Sequence, residues 1–169
     1  MRKLIGSLAT VLVVVFMISM NSCEEVEGIL PIPSMEATVD DEAWTSLVRI
    51  SVFNESEEPQ SIIITGKPTA DDTADQTIIL TVFGNDVGTY ELGVGTLISG
   101  DCLVVYNKTT DMGNDIYTST EATITITEMD KEKNTISGTF SAKCYTIATI
   151  PDEVIITNGT FENLNYQVK

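Results

Sequence analysis

From residue 35 onward, apolar side chains recur at every second position in short runs. The clearest is Thr135 to Tyr145: Ile136, Gly138, Phe140, Ala142 and Cys144 fall on one parity, with Thr135, Ser137, Thr139, Ser141 and Lys143 on the other. A period of two belongs to a strand with one buried face. Ala122 to Thr127 alternate in the same way, and the charged segment from Met129 to Asn134 between the two runs predicts a hairpin. Further strands are predicted at Glu36 to Val39, Trp44 to Phe53, Ser61 to Gly66, Thr77 to Phe83, Gly88 to Leu92, Cys102 to Asn107, Ile116 to Thr118, Ala122 to Glu128, Val154 to Phe161 and Asn163 to Val168. No segment sustains a helical period. Connections are short, so sequential neighbours should pair antiparallel. A flat sheet of so many strands would leave long exposed edges, which predicts an all-β antiparallel meander forming a β-sandwich or a partly open β-barrel.

The first 34 residues follow other rules. Arg2 and Lys3 precede an apolar run from Leu4 to Met20, richest at Val11 to Ile18, which reads as a signal peptide over residues 1–22. A permanent transmembrane helix takes about 20 apolar residues, and this run is shorter and diluted by Gly6, Ser7, Thr10 and Ser19. Met20-Asn21-Ser22-Cys23 resembles the lipobox of bacterial lipoproteins, although Met20 and Asn21 depart from the commoner Leu and Ala. The resemblance implies cleavage before Cys23 and lipid on its thiol, with several acyl chains holding the protein to a membrane. Glu24, Glu25 and Glu27 resemble the surface-export signal of Bacteroidota lipoproteins, which implies a cell-surface location on the outer membrane, with a periplasm-facing domain as the alternative. Residues 23–34, with Gly28, Pro31 and Pro33, read as an acidic tether, and residues 35–169 as a single β-rich domain.

Charge narrows the partners. Nine basic side chains face 25 acids, for a net −16, and since Arg2 and Lys3 leave with the leader the exported part stands at −18. Such a surface repels phosphate backbones, so nucleic acid is excluded as a partner. The acids are spread among β-branched residues, which marks a solvated surface and not a disordered tail.

Ala37-Thr38-Val39-Asp40-Asp41-Glu42-Ala43-Trp44, then Gly88 to Gly93, then Ile124 to Asp130 with Thr135 to Ser141, and last Ile156 to Phe161, together resemble an uncharacterised family of Bacteroidota lipoproteins with a domain of unknown function. The likeness spans nearly the whole exported chain and implies no activity. That family usually has Asp-Gly where this chain has Asp40-Asp41. A type I′ turn needs positive φ at both central residues, so a looser first hairpin is expected here.

Candidate chemistry is sparse. Cys102 and Cys144 admit two readings: a disulfide, which in the chain-entropy model would stabilise by about 4 kcal/mol, or two buried thiols. The chain has no histidine, so Ser-His-Asp and Cys-His pairs and His-based zinc sites are excluded. Gly95 to Cys102 has the glycine spacing of a phosphate loop, but Asp101 and Cys102 stand where Lys and Ser or Thr belong. A paired-carboxylate glycosidase needs two acids at a defined separation, which no motif here provides. Asp71 to Asp75 and Asp111 to Asp115 lack the Gly and bidentate Glu of a calcium loop, so no metal and no cofactor is expected. Asp72-Thr73-Ala74 resembles the Bacteroidota O-glycosylation signal, which implies a glycan on Thr73.

Trp44, Tyr90, Tyr106, Tyr117, Tyr145 and Tyr166 suit either a sugar-stacking platform or core packing, and core packing is favoured. Tyr145, on the outer parity of its strand, is the single surface-contact candidate. The expectation is a non-catalytic envelope module that binds a glycan or an envelope protein. A calycin-like carrier of a small apolar ligand is the alternative, and the two differ in whether the interior is filled.

Overall fold

The computed structural model of the chain describes residues 32–68, 76–93, 101–110, 113–147 and 150–169. The leader, Cys23 and the tether up to residue 31 lie outside them, as do Asp71 to Asp75 with Thr73, Gly95 to Gly100 and Asp111. Among the described residues there are ten strands: β1 (Ser34–Val39), β2 (Glu42–Thr45), β3 (Val48–Asn54), β4 (Ser61–Lys67), β5 (Gln76–Val82), β6 (Gly88–Leu92), β7 (Cys102–Thr110), β8 (Gly113–Asp130), β9 (Thr135–Thr146) and β10 (Glu153–Val168). They form one all-β sheet in meander-like order, and Ile32–Lys169 is one compact unit.

Neighbouring ladders run β3 to β4 to β5 to β7 to β8 to β9 to β10, all antiparallel. The last residues of β10 then pair with β3, Tyr166 with Ser51 and Val168 with Phe53, so the chain of pairings returns to its start. That pair is parallel, against the expectation of antiparallel neighbours, because it joins strands from opposite ends of the chain and no short turn dictates its direction. The β1–β2 hairpin rides on the free edge of β10, and β6 on that of β8.

Two predicted strand pairs are single strands. β8 unites Ile116–Thr118 with Ala122–Glu128, and β10 unites Val154–Phe161 with Asn163–Val168. At each junction an extra residue bulges out of the ladder to β9 and reverses which parity faces the core. In β8 the inward residues are Tyr117 and Ser119 before the bulge, and Ala122, Ile124 and Ile126 after it. In β10 they change from Val154 and Ile156 to Gly159 and Phe161, then to Leu164 and Tyr166. Asn158 (φ 51°) and Asn163 (φ 50°) take the left-handed conformation that asparagine tolerates, and Ser137 Oγ accepts the Asn163 amide at 3.0 Å.

The predicted strand Trp44 to Phe53 is instead two strands, parted at Ser46. The Ser46 amide still bonds to Met35 O in β1 (2.9 Å), while the next amide, of Leu47, bonds to Lys67 O in β4 (3.0 Å). The buried Ser46 hydroxyl donates to Lys67 O (3.1 Å) and accepts from Lys67 N (3.0 Å), so the side chain pairs both backbone groups of Lys67 where the chain changes partner.

The first hairpin closes on a turn tied to β10. Asp40 (φ 48°) and Asp41 (φ 66°) both hold the positive φ of the turn. Asp40 is also locked onto β10: its amide donates to Ile155 O (2.9 Å) and its Oδ1 accepts from Ile155 N (2.8 Å).

Inside, the expected faces meet. Ile124, Ile126, Ile136, Phe140, Ala142 and Cys144 are buried together with Met35, Ile62, Ile64, Ile78, Leu80, Val104, Tyr106, Ile156 and Phe161. Between β9 and β10 the packing is reciprocal. Gly138 stands opposite Phe161 and Gly159 opposite Phe140, so each ring lies over the glycine of the facing strand, and the rings stack with centroids 6.5 Å apart. A Cβ on Gly138 would come within 2.5 Å of Phe161, and one on Gly159 within 2.6 Å of Phe140.

Candidate functional site

The aromatic residues divide by burial. Trp44, Tyr106, Tyr117 and Tyr166 are core, with Tyr106 and Tyr117 in contact at 5.7 Å between ring centroids, so they form no outward stacking platform. Tyr90 and Tyr145 are half-buried. Tyr145 does lie on the outer parity of β9, but it is engaged there: its hydroxyl bonds to the Glu153 carboxylate and the Lys143 ammonium lies 5.6 Å from its ring centre. Lys143 and Glu153 pair at 3.3 Å. The Tyr145 hydroxyl and then Lys143 hold the Glu153 carboxyl below its usual range, and the Tyr145 and Glu153 side chains raise the Lys143 ammonium.

Cys102 and Cys144 are both free and buried, so of the two readings the structure has the thiols. Cys102 Sγ lies 3.3 Å from Tyr90 O and Cys144 Sγ 4.0 Å from Val104 O, so each donates to a carbonyl of a different strand. Burial pushes the Cys102 thiol up to about 11 and that of Cys144 to about 12, far from thiolate reactivity.

Among the described residues no group of three or more Cys, Asp or Glu side chains is placed to hold a metal ion. No described helix is long and apolar enough to cross a membrane.

Two outer surfaces depart from the polar exterior expected of a half-buried sheet. The first is the outside of β3, β4, β5 and β7. Val52, Ile63, Thr81 and Leu103 lie side by side in register, as do Ile50, Thr65, Ile79 and Val105. Neither row carries a charge.

The second surface is a cleft of about 560 Å³, open to solvent, where the β7–β8 hairpin meets the β9–β10 loop. Asp115, Ile116, Tyr117, Thr146, Ile147, Ile150 and Asp152 line it. Ile147 is 96% exposed, Ile150 85% and Ile116 56%. The base of the loop is fixed: Thr146 N donates to Asp152 O (3.0 Å), Asp152 N to Thr146 Oγ1 (2.9 Å) and Glu153 N to Asp152 Oδ1 (3.1 Å). The Tyr117 hydroxyl donates to Asp152 Oδ2 at 2.9 Å. Burial, the bond to Asp152 and the nearby Asp115 and Asp40 push that phenol up to about 12, so it remains a donor at physiological pH. This cleft was not among the sites expected from sequence. Its signal was two isoleucines in the short segment between Tyr145 and Val154, where a solvated connection would carry polar residues.

The profile of a domain of unknown function, DUF6252, matches residues 32–165, nearly all of the β-sheet. The chain belongs to the DUF6252 family. No curated protein and no solved structure matches it. The DUF6252 domain thus begins just before β1 and includes both outer surfaces, while residues 1–31 lie ahead of the match.

Proposed function

We propose that this DUF6252 chain is an exported, non-catalytic binding module of the bacterial cell envelope, anchored by lipid on Cys23 and displayed at the cell surface. The lipobox-like Met20-Asn21-Ser22-Cys23 supports the anchor, the acidic residues behind it support surface display, and the family match, which begins at residue 32, leaves Cys23 outside the folded domain. We further read the returning chain of ladders from β3 to β10 as a barrel.

The observation that carries the binding reading is the filled interior. Phe140, Phe161, Tyr106, Ile124 and Ile156 are all buried in the core, which supports side-chain packing where a carrier would hold its ligand. A packed interior favours partners on the outer surface over the calycin-like carrier. Metabolic labelling with an alkyne fatty acid tests the anchor: label is expected on the wild-type chain and none on Cys23→Ala, which should also stay unprocessed. An unlabelled wild-type chain would end this reading. Native mass spectrometry tests the interior: a co-purified apolar molecule would restore the carrier.

A further inference from the structure

The cleft at the β9–β10 loop sets exposed aliphatic side chains beside carboxylates. Ile147 and Ile150 are almost fully exposed, Ile116 is more than half exposed, and the carboxylates of Asp115 and Asp152 stand beside them. Leaving Ile147 and Ile150 in water, with Ile116 only partly covered, gives up the gain of burying them. Asp152 is held by Tyr117, Thr146 and Glu153 and so keeps a fixed position. An ionised carboxylate has about four lone-pair sites, so those bonds leave it able to accept more.

We infer that this cleft docks a peptide segment of another protein that carries lysine or arginine together with aliphatic residues. The stem of such a basic side chain is apolar and its head is cationic, so it can lie along Ile147 and Ile150 while its charge reaches Asp115 or Asp152. Charge complementarity selects this occupant over a second copy of the chain, since two copies would bring like carboxylates together on proteins that each carry −16. Placement agrees. Pro33, which leads into β1, lies beside Leu164 and Asn165, and Asn165 pairs with Thr135 at the start of β9. The cleft is at Thr146, the other end of that strand, about 35 Å away at roughly 3.3 Å per residue. The inference rests on the binding-module reading and names its partner class.

The test is fluorescence anisotropy with the full chain and a labelled hexapeptide of alternating leucine and lysine. The counterpart with glutamate for lysine, and that with serine for leucine, should each bind at least about tenfold more weakly. Asp115→Asn with Asp152→Asn should cost about tenfold, and so should Ile147→Ser with Ile150→Ser, the first loss shrinking in high salt. Glu128→Gln with Glu162→Gln, far from the cleft, should change nothing. Circular dichroism melts confirm that every variant folds. Equal loss with the remote pair would show general attraction to an acidic protein and overturn the proposal. So would binding to phosphatidylcholine vesicles in place of the peptide, or a dimer in sedimentation that the isoleucine variant abolishes. Peptide binding that fails in a chain whose Cys23 takes up label sinks this inference alone, whereas binding by a chain without label sinks the anchor and leaves the cleft.

Discussion

Replacing Gly138 by alanine should be among the most damaging methyl additions in the chain. The new Cβ would lie 2.2 Å from Thr125 O and 2.5 Å from the Phe161 ring. A ring can tilt, but Thr125 O belongs to the β8 backbone, in a ladder where Ile126 faces Gly138 and Thr125 faces Thr139. Opening the gap to an ordinary contact means parting β8 from β9 by about 1 Å. That weakens one or two ladder hydrogen bonds worth about 1 kcal/mol each, on top of overpacking at about 1–3 kcal/mol. Loss of glycine entropy in the unfolded chain returns about 0.4–1 kcal/mol. The net is about 3 kcal/mol, or a fall of roughly 10 °C in Tm for a domain of this size. Gly88→Ala is the control, because its Cβ would meet only Tyr90 at 3.9 Å, and its melting point should stay within about 2 °C of wild type. Far-UV circular dichroism melts of the two variants decide it. A Gly138→Ala melt indistinguishable from Gly88→Ala would refute the account of the Gly–Phe packing.

Phe140→Asp should abolish the folding transition, since an unpaired carboxylate against Phe161 and Gly159 costs several kcal/mol; an unchanged melt would contradict its inward placement. Asp41→Gly should raise Tm by about 2–4 °C by relieving positive φ, whereas Asp40→Gly should not, because it also removes the carboxylate that accepts Ile155 N. Alkaline pH should destabilise the fold through the buried thiols. Cys144 ionises at about 12 when folded against an ordinary 9.0, so its stabilisation is complete below about pH 9 and is lost as pH rises toward 12. At pH 10.5 the loss from this thiol is about 2 kcal/mol; urea midpoints at pH 8 and 10.5 should diverge less in Cys144→Ala than in wild type.

Sequence pattern revealed most strands because their inner faces alternate with threonine and serine, as β9 does throughout. It failed where alternation itself breaks. A bulge adds one residue and turns the next side chains to the opposite face, so β8 and β10 each look like two strands in register-blind reading, although the ladders run through. In β10, Asn158 and Asn163 mark the two shifts with left-handed backbone that asparagine tolerates, whereas β8 shifts register with no such residue to mark it. Ser46 is a subtler case. Its neighbours Trp44 and Phe53 both face the core, yet only the tertiary position of Lys67 shows that the chain changes partner there.

Continuous apolar runs carry a different ambiguity. Ser61-Ile62-Ile63-Ile64, Ile78-Ile79-Leu80 and Cys102-Leu103-Val104-Val105 are legible as strands but not as oriented ones, because both faces are apolar. The ladders orient them: Ile62, Ile64, Ile78, Leu80, Cys102 and Val104 point inward, which leaves Ile63, Ile79 and Val105 on the other face, while Leu103 is partly buried against the core. By contrast, β9 has a polar outer face of Ser137, Thr139, Ser141 and Lys143. The outer surface is thus chemically uneven around the sheet, and the acids that make the chain so negative are kept off the two registered rows on β3, β4, β5 and β7. Composition sums that unevenness into a single charge. Only the register of the strands shows where apolar surface and carboxylates meet, and one such place is Ile116 beside Asp115 at the mouth of the cleft.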